Sequence, residues 1–365
     1  MEELQKFLNR ITEWRIPGAE CCVYYKGKEI FCGQAGYSDM EKHIPLSKNQ
    51  IYYIYSASKI ITCTAALQLY EEKHLSLEDK LSRYFPEYRE MYIKAGNGLR
   101  RAENPITIKD LFCMTAGFHY DIYCPSFRKI YEETNGACPT EKAVRAFAGE
   151  PLDFEPGERW QYSLGHDVLG AVIEKISGRS LGDYMRSRIF EPVGMEKTGF
   201  RIKEADRKLF AKQYRFDNEA DKAVPIESIN EYKIGSEYES GGGGLLSTVD
   251  DYISFERALC SGRLLRPETL ALMKQNRLTG EQLPDYNWPQ LKGYGYGLGV
   301  RTLIDKEAGS LSSIGEFGWS GAAGAYALMD TRRDIQIFYI QHMLNNQEEH
   351  IHPELRNIVY RNLPD

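Results

Sequence analysis

No stretch of this 365-residue chain approaches the ~20 consecutive apolar residues of a membrane-spanning helix. Nor does Met1-Glu2-Glu3-Leu4-Gln5-Lys6 contain the apolar core of a secretory leader, so a cytoplasmic protein is expected. Blocks of like charge are also missing. The 46 basic and 52 acidic residues are interspersed to a net −6, which offers no footing for nucleic acid or an anionic bilayer. There is no Cys-x-x-Cys, and the eight cysteines, at 21, 22, 32, 63, 113, 124, 138 and 260, lie mostly in apolar settings. Reduced, buried thiols are expected rather than a disulfide framework. Among the histidines only His350-Ile351-His352 is closely spaced, with no cysteine or carboxylate evidently placed beside it. A solvated pair near the C-terminus is expected, and neither metal nor cofactor. Gly241–Gly244 precedes no Gly-Lys-Ser/Thr, so the run is not a phosphate cradle and reads as flexible backbone beside a pocket. No Gly-x-Ser-x-Gly elbow occurs either: Gly318-Trp319-Ser320-Gly321-Ala322 ends on alanine, which argues against an α/β-hydrolase.

What is present is a globular composition, 42% hydrophobic and 27% charged, in a chain longer than one ordinary core. Residues 2–14 read as an amphipathic helix. A hairpin follows, Ala19–Tyr25 and Glu29–Gly36 about a Lys26-Gly27-Lys28 turn. From Ser56 to about Phe190 the pattern is mainly helical, including 108–114, 141–148 and 167–176, the last closed by Ser177-Gly178. Residues 200–240 read as long loops with short strands. Helices are expected at 250–258, 267–274 and 353–362, and strands at 296–300, 325–330 and 335–342. Strands at both ends and helices between imply an α+β chain. Residues 1–60 and 240–365 would build one sheet, 61–239 a mainly helical part, and an active site would lie at the seam.

The candidate nucleophile is Ser56, at the mouth of the long, mostly apolar stretch Ile60–Tyr70. In Ser56-Ala57-Ser58-Lys59 the lysine lies one helical turn from the serine and can take its proton, so no histidine is needed. A helix apolar all round is buried, and its N-terminal N–H groups favour a developing oxyanion. Ser56 as a mere helix cap is the competing reading. A second Ser-x-x-Lys, Ser126 to Lys129, lies in a Tyr-, Pro- and charge-rich stretch without that apolar context. Tyr162 ends a Pro- and Gly-containing turn, 154–163. If it lies beside Lys59, the ammonium would stabilise its phenolate and let it pass protons to and from Ser56. Taken alone it is one of 25 tyrosines, and packing is the ordinary use.

These motifs, in order, resemble the serine β-lactamase and penicillin-binding-protein superfamily, most closely the family VIII carboxylesterases. They comprise Pro17-Gly18-Ala19, Ser56-Ala57-Ser58-Lys59, Leu111-Phe112-Cys113-Met114-Thr115-Ala116-Gly117, Pro156-Gly157 through Tyr162-Ser163, Asp167-Val168-Leu169-Gly170, Gly241–Gly244 with Ser247 to Tyr252, and Phe317 to Gly324. The resemblance spans nearly the whole chain. It implies the β-lactamase/transpeptidase-like fold, an antiparallel sheet flanked by terminal helices plus a mainly helical insertion. It also implies acylation of Ser56, Lys59 and Tyr162 as general base and acid, and an oxyanion hole from the N–H groups of Ser56 and Ala322.

Departures bear on substrate. Tyr162-Ser163-Leu164 puts an apolar residue where relatives carry the asparagine of Tyr-x-Asn, and Trp319-Ser320-Gly321 replaces Lys/His-Thr-Gly. The missing cation is the natural partner of a substrate carboxylate, a contact worth roughly 1.5–3 kcal/mol. Small neutral carboxylic esters are therefore expected over penicillins or peptide stems, with Trp319, Ser320 and Gly321 along the substrate and Trp319 as an apolar wall. Tyr120, Tyr123, Phe127 and Tyr131 make the 120–150 stretch aromatic, so Tyr123 and Phe127 are candidates for the acyl-pocket wall, with surface-loop packing as the alternative. A D-aminopeptidase, weak β-lactamase or acyltransferase, or a slowly deacylating penicillin-binding sensor, remain rivals. His166, Asp167 and Glu239 are candidates by position for placing the deacylating water, and the oligomeric state is open.

Overall fold

The computed structural model describes residues 1–364 other than Asn97 and Ser228. Both ends of the chain contribute to one eight-stranded sheet. Its strands are β1 (Gly18–Tyr25), β2 (Lys28–Asp39), β3 (Ile44–Pro45), β4 (Tyr294–Tyr296), β5 (Arg301–Leu303), β6 (Phe317–Gly321), β7 (Ala325–Asp330) and β8 (Ile335–Gln341), in spatial order β4-β5-β6-β7-β8-β1-β2-β3. Every neighbouring pair in it is antiparallel. β8 is buried along its length, which suits a central strand covered on both faces.

One face is covered by α1 (Glu2–Trp14) and α8 (Glu348–Arg361), whose Leu4, Leu8, Leu355 and Val359 pack with Val23, Leu328 and Ile337. Against the other lie α2 (Ser58–Glu71) and α7 (Val249–Cys260), with Tyr252 stacked on Phe338 at 4.0 Å between ring centroids. Residues 58–69 of α2 are all buried, as a helix apolar on every side requires. Helices α3 (Ile108–Cys113), α4 (Pro125–Glu133), α5 (Thr140–Phe147) and α6 (Gly165–Ser177) follow. α6 ends at Gly178 in the left-handed conformation, as Ser177-Gly178 predicts. Residues 200–240 hold the short strands 214–217 and 222–225. Among the described residues no helix is long and apolar enough to cross a membrane.

Four local expectations change. The strand expected at 296–300 is instead a hairpin bend between β4 and β5, closed by Gly297 N–H on the Val300 carbonyl at 2.8 Å. Gly299, at φ 83°, supplies the turn. The last helix begins at Glu348 and carries Pro353 inside it. That places His352 in the core, stacked on Tyr326 at 4.5 Å, and burial lowers its pKa to about 3. Only His350 of the pair is solvated. The aromatic first part of the 120–150 stretch holds α4 and is not all loop, α5 being the helix expected at 141–148, and Phe127 stacks on Phe147 at 5.1 Å in the core. Finally, Gly241–Gly244 is tightly packed backbone and not a flexible run. The Gly241 carbonyl accepts from Thr62 at 2.7 Å, and a Cβ at 241 would stand 2.5 Å from the His166 carbonyl oxygen.

Candidate active site

Ser56 stands in a single 3₁₀ turn, Tyr55–Ala57, just ahead of α2. The residue before it, Tyr55, is left-handed at φ 45°, a conformation costly for a bulky side chain by about 1–3 kcal/mol. Its surroundings hold it there. The phenol donates to Gln213, the ring packs edge-on against Tyr232 at 5.7 Å, and Tyr252 donates to the Ala57 carbonyl at 2.7 Å. Ser56 does not cap α2: Ala57 is the N-cap residue and no side chain bonds there.

The Ser56 hydroxyl instead meets two proton-carrying groups. Lys59 Nζ donates to Ser56 Oγ at 3.2 Å, and the Tyr162 hydroxyl shares a short hydrogen bond with the same oxygen. Lys59 is fully buried, so its ammonium needs partners other than water. One is the Gly242 carbonyl, 2.5 Å away; another is the face of the Tyr162 ring, whose centroid lies 4.6 Å from Nζ. Helical spacing puts Ser58, Lys59 and Thr62 of α2 against the glycine run: Ser58 Oγ accepts from Leu245 N–H at 3.1 Å while Lys59 and Thr62 donate to Gly242 and Gly241.

Tyr162 is stacked against Tyr120 at 5.2 Å and Trp319 at 6.0 Å, with Trp288 tilted beside it at 5.2 Å. Behind Lys59 lies Asp167, whose Oδ1 accepts from Ser240 at 2.6 Å and Tyr238 at 3.0 Å. Burial pushes its carboxyl above the usual range, and those two hydrogen bonds and the Lys59 cation oppose the shift.

The other candidates divide. Trp319 is 2% exposed and enclosed by Tyr286, Trp288 and Tyr296, so it backs Tyr162 and presents no open wall. Strand alternation turns Ser320 to the opposite face, where its hydroxyl bonds to Glu348 of α8. Gly321 is where the sheet meets the Ser56 turn, since a Cβ there would stand 2.2 Å from the Ile54 carbonyl oxygen. Ala322 follows at the half-buried end of β6. Tyr123 is 64% exposed, and Phe127 is core, so the latter lines no pocket. His166 is fully buried on the Phe112 carbonyl at 3.1 Å, with its pKa lowered to about 3, mainly by burial. Glu239 accepts from Gly182 N–H at 2.7 Å and lines a separate groove of about 1420 Å³ with Glu174, Arg179 and Arg201. The half-buried Tyr232 and Trp288 carried no sequence signal, and tertiary packing alone brings them to the site.

The serine is thus bonded at once by a buried lysine and a tyrosine where β6 meets a central helix, and residues 4–360 match the Beta-lactamase family. The chain belongs to the β-lactamase family. It is a serine hydrolase of that family. It is similar to protein Rv1367c of Mycobacterium tuberculosis, 30% identical over 90% of this chain and 86% of that one. Esterase EstB of Burkholderia gladioli is 26% identical over 92% and 88%. Among solved structures EstCE1, described as a hydrolase with promiscuous acyltransferase activity, superposes with a TM-score of 0.82 at 26% identity, covering 98% of each chain.

Proposed function

We propose that this β-lactamase-family hydrolase cleaves small neutral carboxylic esters through an acyl-enzyme on Ser56. The observation that carries the proposal is the Ser56 oxygen held by both Lys59 Nζ and the Tyr162 hydroxyl. Ser56 Oγ attacks the ester carbonyl as its proton passes to the Lys59–Tyr162 pair, whose reactive form holds one proton fewer than ammonium plus phenol. The N–H groups of Ser56 and Ala322 receive the oxyanion, which the backbone-to-backbone approach of Gly321 and Ile54 supports. The bond to the alcohol breaks as Tyr162 protonates the leaving oxygen. Water then attacks the acyl carbonyl and yields a proton to the same pair, which passes it to Ser56 Oγ as the acyl–oxygen bond breaks, releasing the acid and free Ser56.

Two features favour a neutral ester. Trp319 stands where the resemblance puts the cation of Lys/His-Thr-Gly and Leu164 where it puts an amide, so neither position supplies a partner for a substrate carboxylate. The relatives named esterase or hydrolase point the same way. The half-buried rings of Tyr120, Tyr162, Tyr232 and Trp288 give the acyl chain an apolar surround. The test is intact-protein mass spectrometry with a short-chain p-nitrophenyl ester and, separately, a penicillin. Rapid ester turnover that Ser56→Ala abolishes, with little penicillin adduct, is expected. A persistent penicillin adduct without ester turnover would overturn the ester assignment, and full activity in Ser56→Ala would exclude the acyl-enzyme.

A further inference from the structure

Cys22 and Cys32 face each other across the β1–β2 ladder. Both lie on the inner side of the sheet, Cys22 buried and Cys32 half-buried, and both are free thiols. Two residues on, the register slips. Val23 pairs with Phe31, but Tyr24 pairs with Glu29, so Ile30 is skipped as a β-bulge. The bulge has a directional consequence. Ile30 and Phe31, consecutive residues, both pack against the outer core under α1 and α8. Glu29 is thereby rotated onto the inner side, where regular alternation would not place it. Two thiol sulfurs and one carboxylate oxygen converge as a result, all within 4.8 Å of one another.

We propose that Cys22, Cys32 and Glu29 form a binding site for a thiophilic divalent cation of the zinc class, with water completing a tetrahedral shell. Thiolate and carboxylate are suitable donors, and the cluster need contract only modestly to reach Zn–S of about 2.3 Å and Zn–O of about 2.0–2.2 Å. The carboxylate is also held: Tyr24 OH donates to Glu29 Oε2 at 3.3 Å, leaving Oε1 for the ion. The two thiols are close enough to hydrogen-bond to each other. Binding releases the thiol protons to solvent and forms two metal–sulfur bonds, with no change of oxidation state. Glu29 is exposed, so the ion has an entry path. The site belongs to the hairpin, not to Ser56, and its action is to staple β1 to β2.

The probe is cobalt(II), titrated into the full chain kept reduced with a phosphine. One equivalent should bind with thiolate-to-cobalt charge-transfer absorption, and zinc should displace it. Cys32→Ser should abolish that absorption, Glu29→Gln should weaken binding roughly 10- to 100-fold, and Cys260→Ser, on α7 and away from these donors, should change neither. Glu29 lies at the surface, so its variant keeps the test valid even if a cysteine variant folds poorly. Absence of charge-transfer absorption with both thiols free would overturn the proposal, as would a spectrum unchanged by Cys32→Ser. So would finding that the pair takes up no cobalt and forms only a disulfide under mild oxidation.

Discussion

Replacing Gly242 by alanine would test how Lys59 is held more sharply than replacing Lys59 itself. An added methyl would stand 2.3 Å from Asp167 Oδ2 and 3.4 Å from Lys59 Nζ. Neither group has room to retreat. Asp167 is 1% exposed and anchored by Ser240 and Tyr238, and Lys59 is wholly enclosed between Ser56 and the Gly242 carbonyl. If the backbone stays, the overpacking costs about 1–3 kcal/mol of stability. If it moves, the Gly242 carbonyl leaves the ammonium, and a charged hydrogen bond worth roughly 1.5–3 kcal/mol is lost. A loss of that size in the transition state lowers kcat/KM by roughly 10- to 150-fold. Initial rates on a p-nitrophenyl ester, with melting temperature measured in parallel, provide the assay. Gly98→Ala, where an added methyl meets nothing within 4 Å, is the control. Gly242→Ala with wild-type kcat/KM would refute the reasoning even if its melting temperature fell, because it would show that Lys59 does not depend on that carbonyl.

Tyr162→Phe keeps the ring stacked against Tyr120 and Trp319 and deletes only the hydroxyl on Ser56, so kcat should fall by about 10²–10⁴ with KM and melting temperature little changed; steady-state kinetics beside a thermal melt check this. Glu20, buried against Tyr52 OH at 2.9 Å, has its pKa raised by burial to about 8. The folded state then binds more protons than the unfolded one between about pH 4.5 and 8, so Glu20's contribution to stability is full at low pH and lost as pH rises through that window. Urea midpoints across this range should decline more steeply for the wild type than for Glu20→Gln, and parallel curves would contradict the assignment.

The legible parts of the molecule are those set by neighbours in sequence. Ser56 and Lys59 are one turn apart, and the apolar run after them dictates burial, so both the nucleophile and the central helix could be read from residues 56–70. Tyr162 could be placed only through the resemblance, since nothing local distinguishes it from the other tyrosines. Phase was less legible than identity. Trp319-Ser320-Gly321 is legible as a motif, but which side chain faces the serine depends on strand alternation within a sheet whose strands come from both chain ends. Phe127 looked like pocket wall because aromatic content was visible and its partner Phe147 was not. The glycine run looked flexible because glycine permits mobility and close packing alike; the deciding contacts, from Ser58, Lys59 and Thr62, come from nearly two hundred residues away in sequence.

The pairing of β1 with β8 also sets a timetable for the growing chain. Ala19 leaves the ribosome more than three hundred residues before its partner Gln341. At ordinary elongation rates of about 5–20 residues per second, the first hairpin waits on the order of tens of seconds with a sheet edge unpaired. α1, whose apolar residues share a core with α8, waits with it. β1 and β8 lie in the middle of the sheet and α1 and α8 cover one face of it, so loss of either helix would uncover the core that Leu4, Leu8, Leu355 and Val359 share with Val23, Leu328 and Ile337.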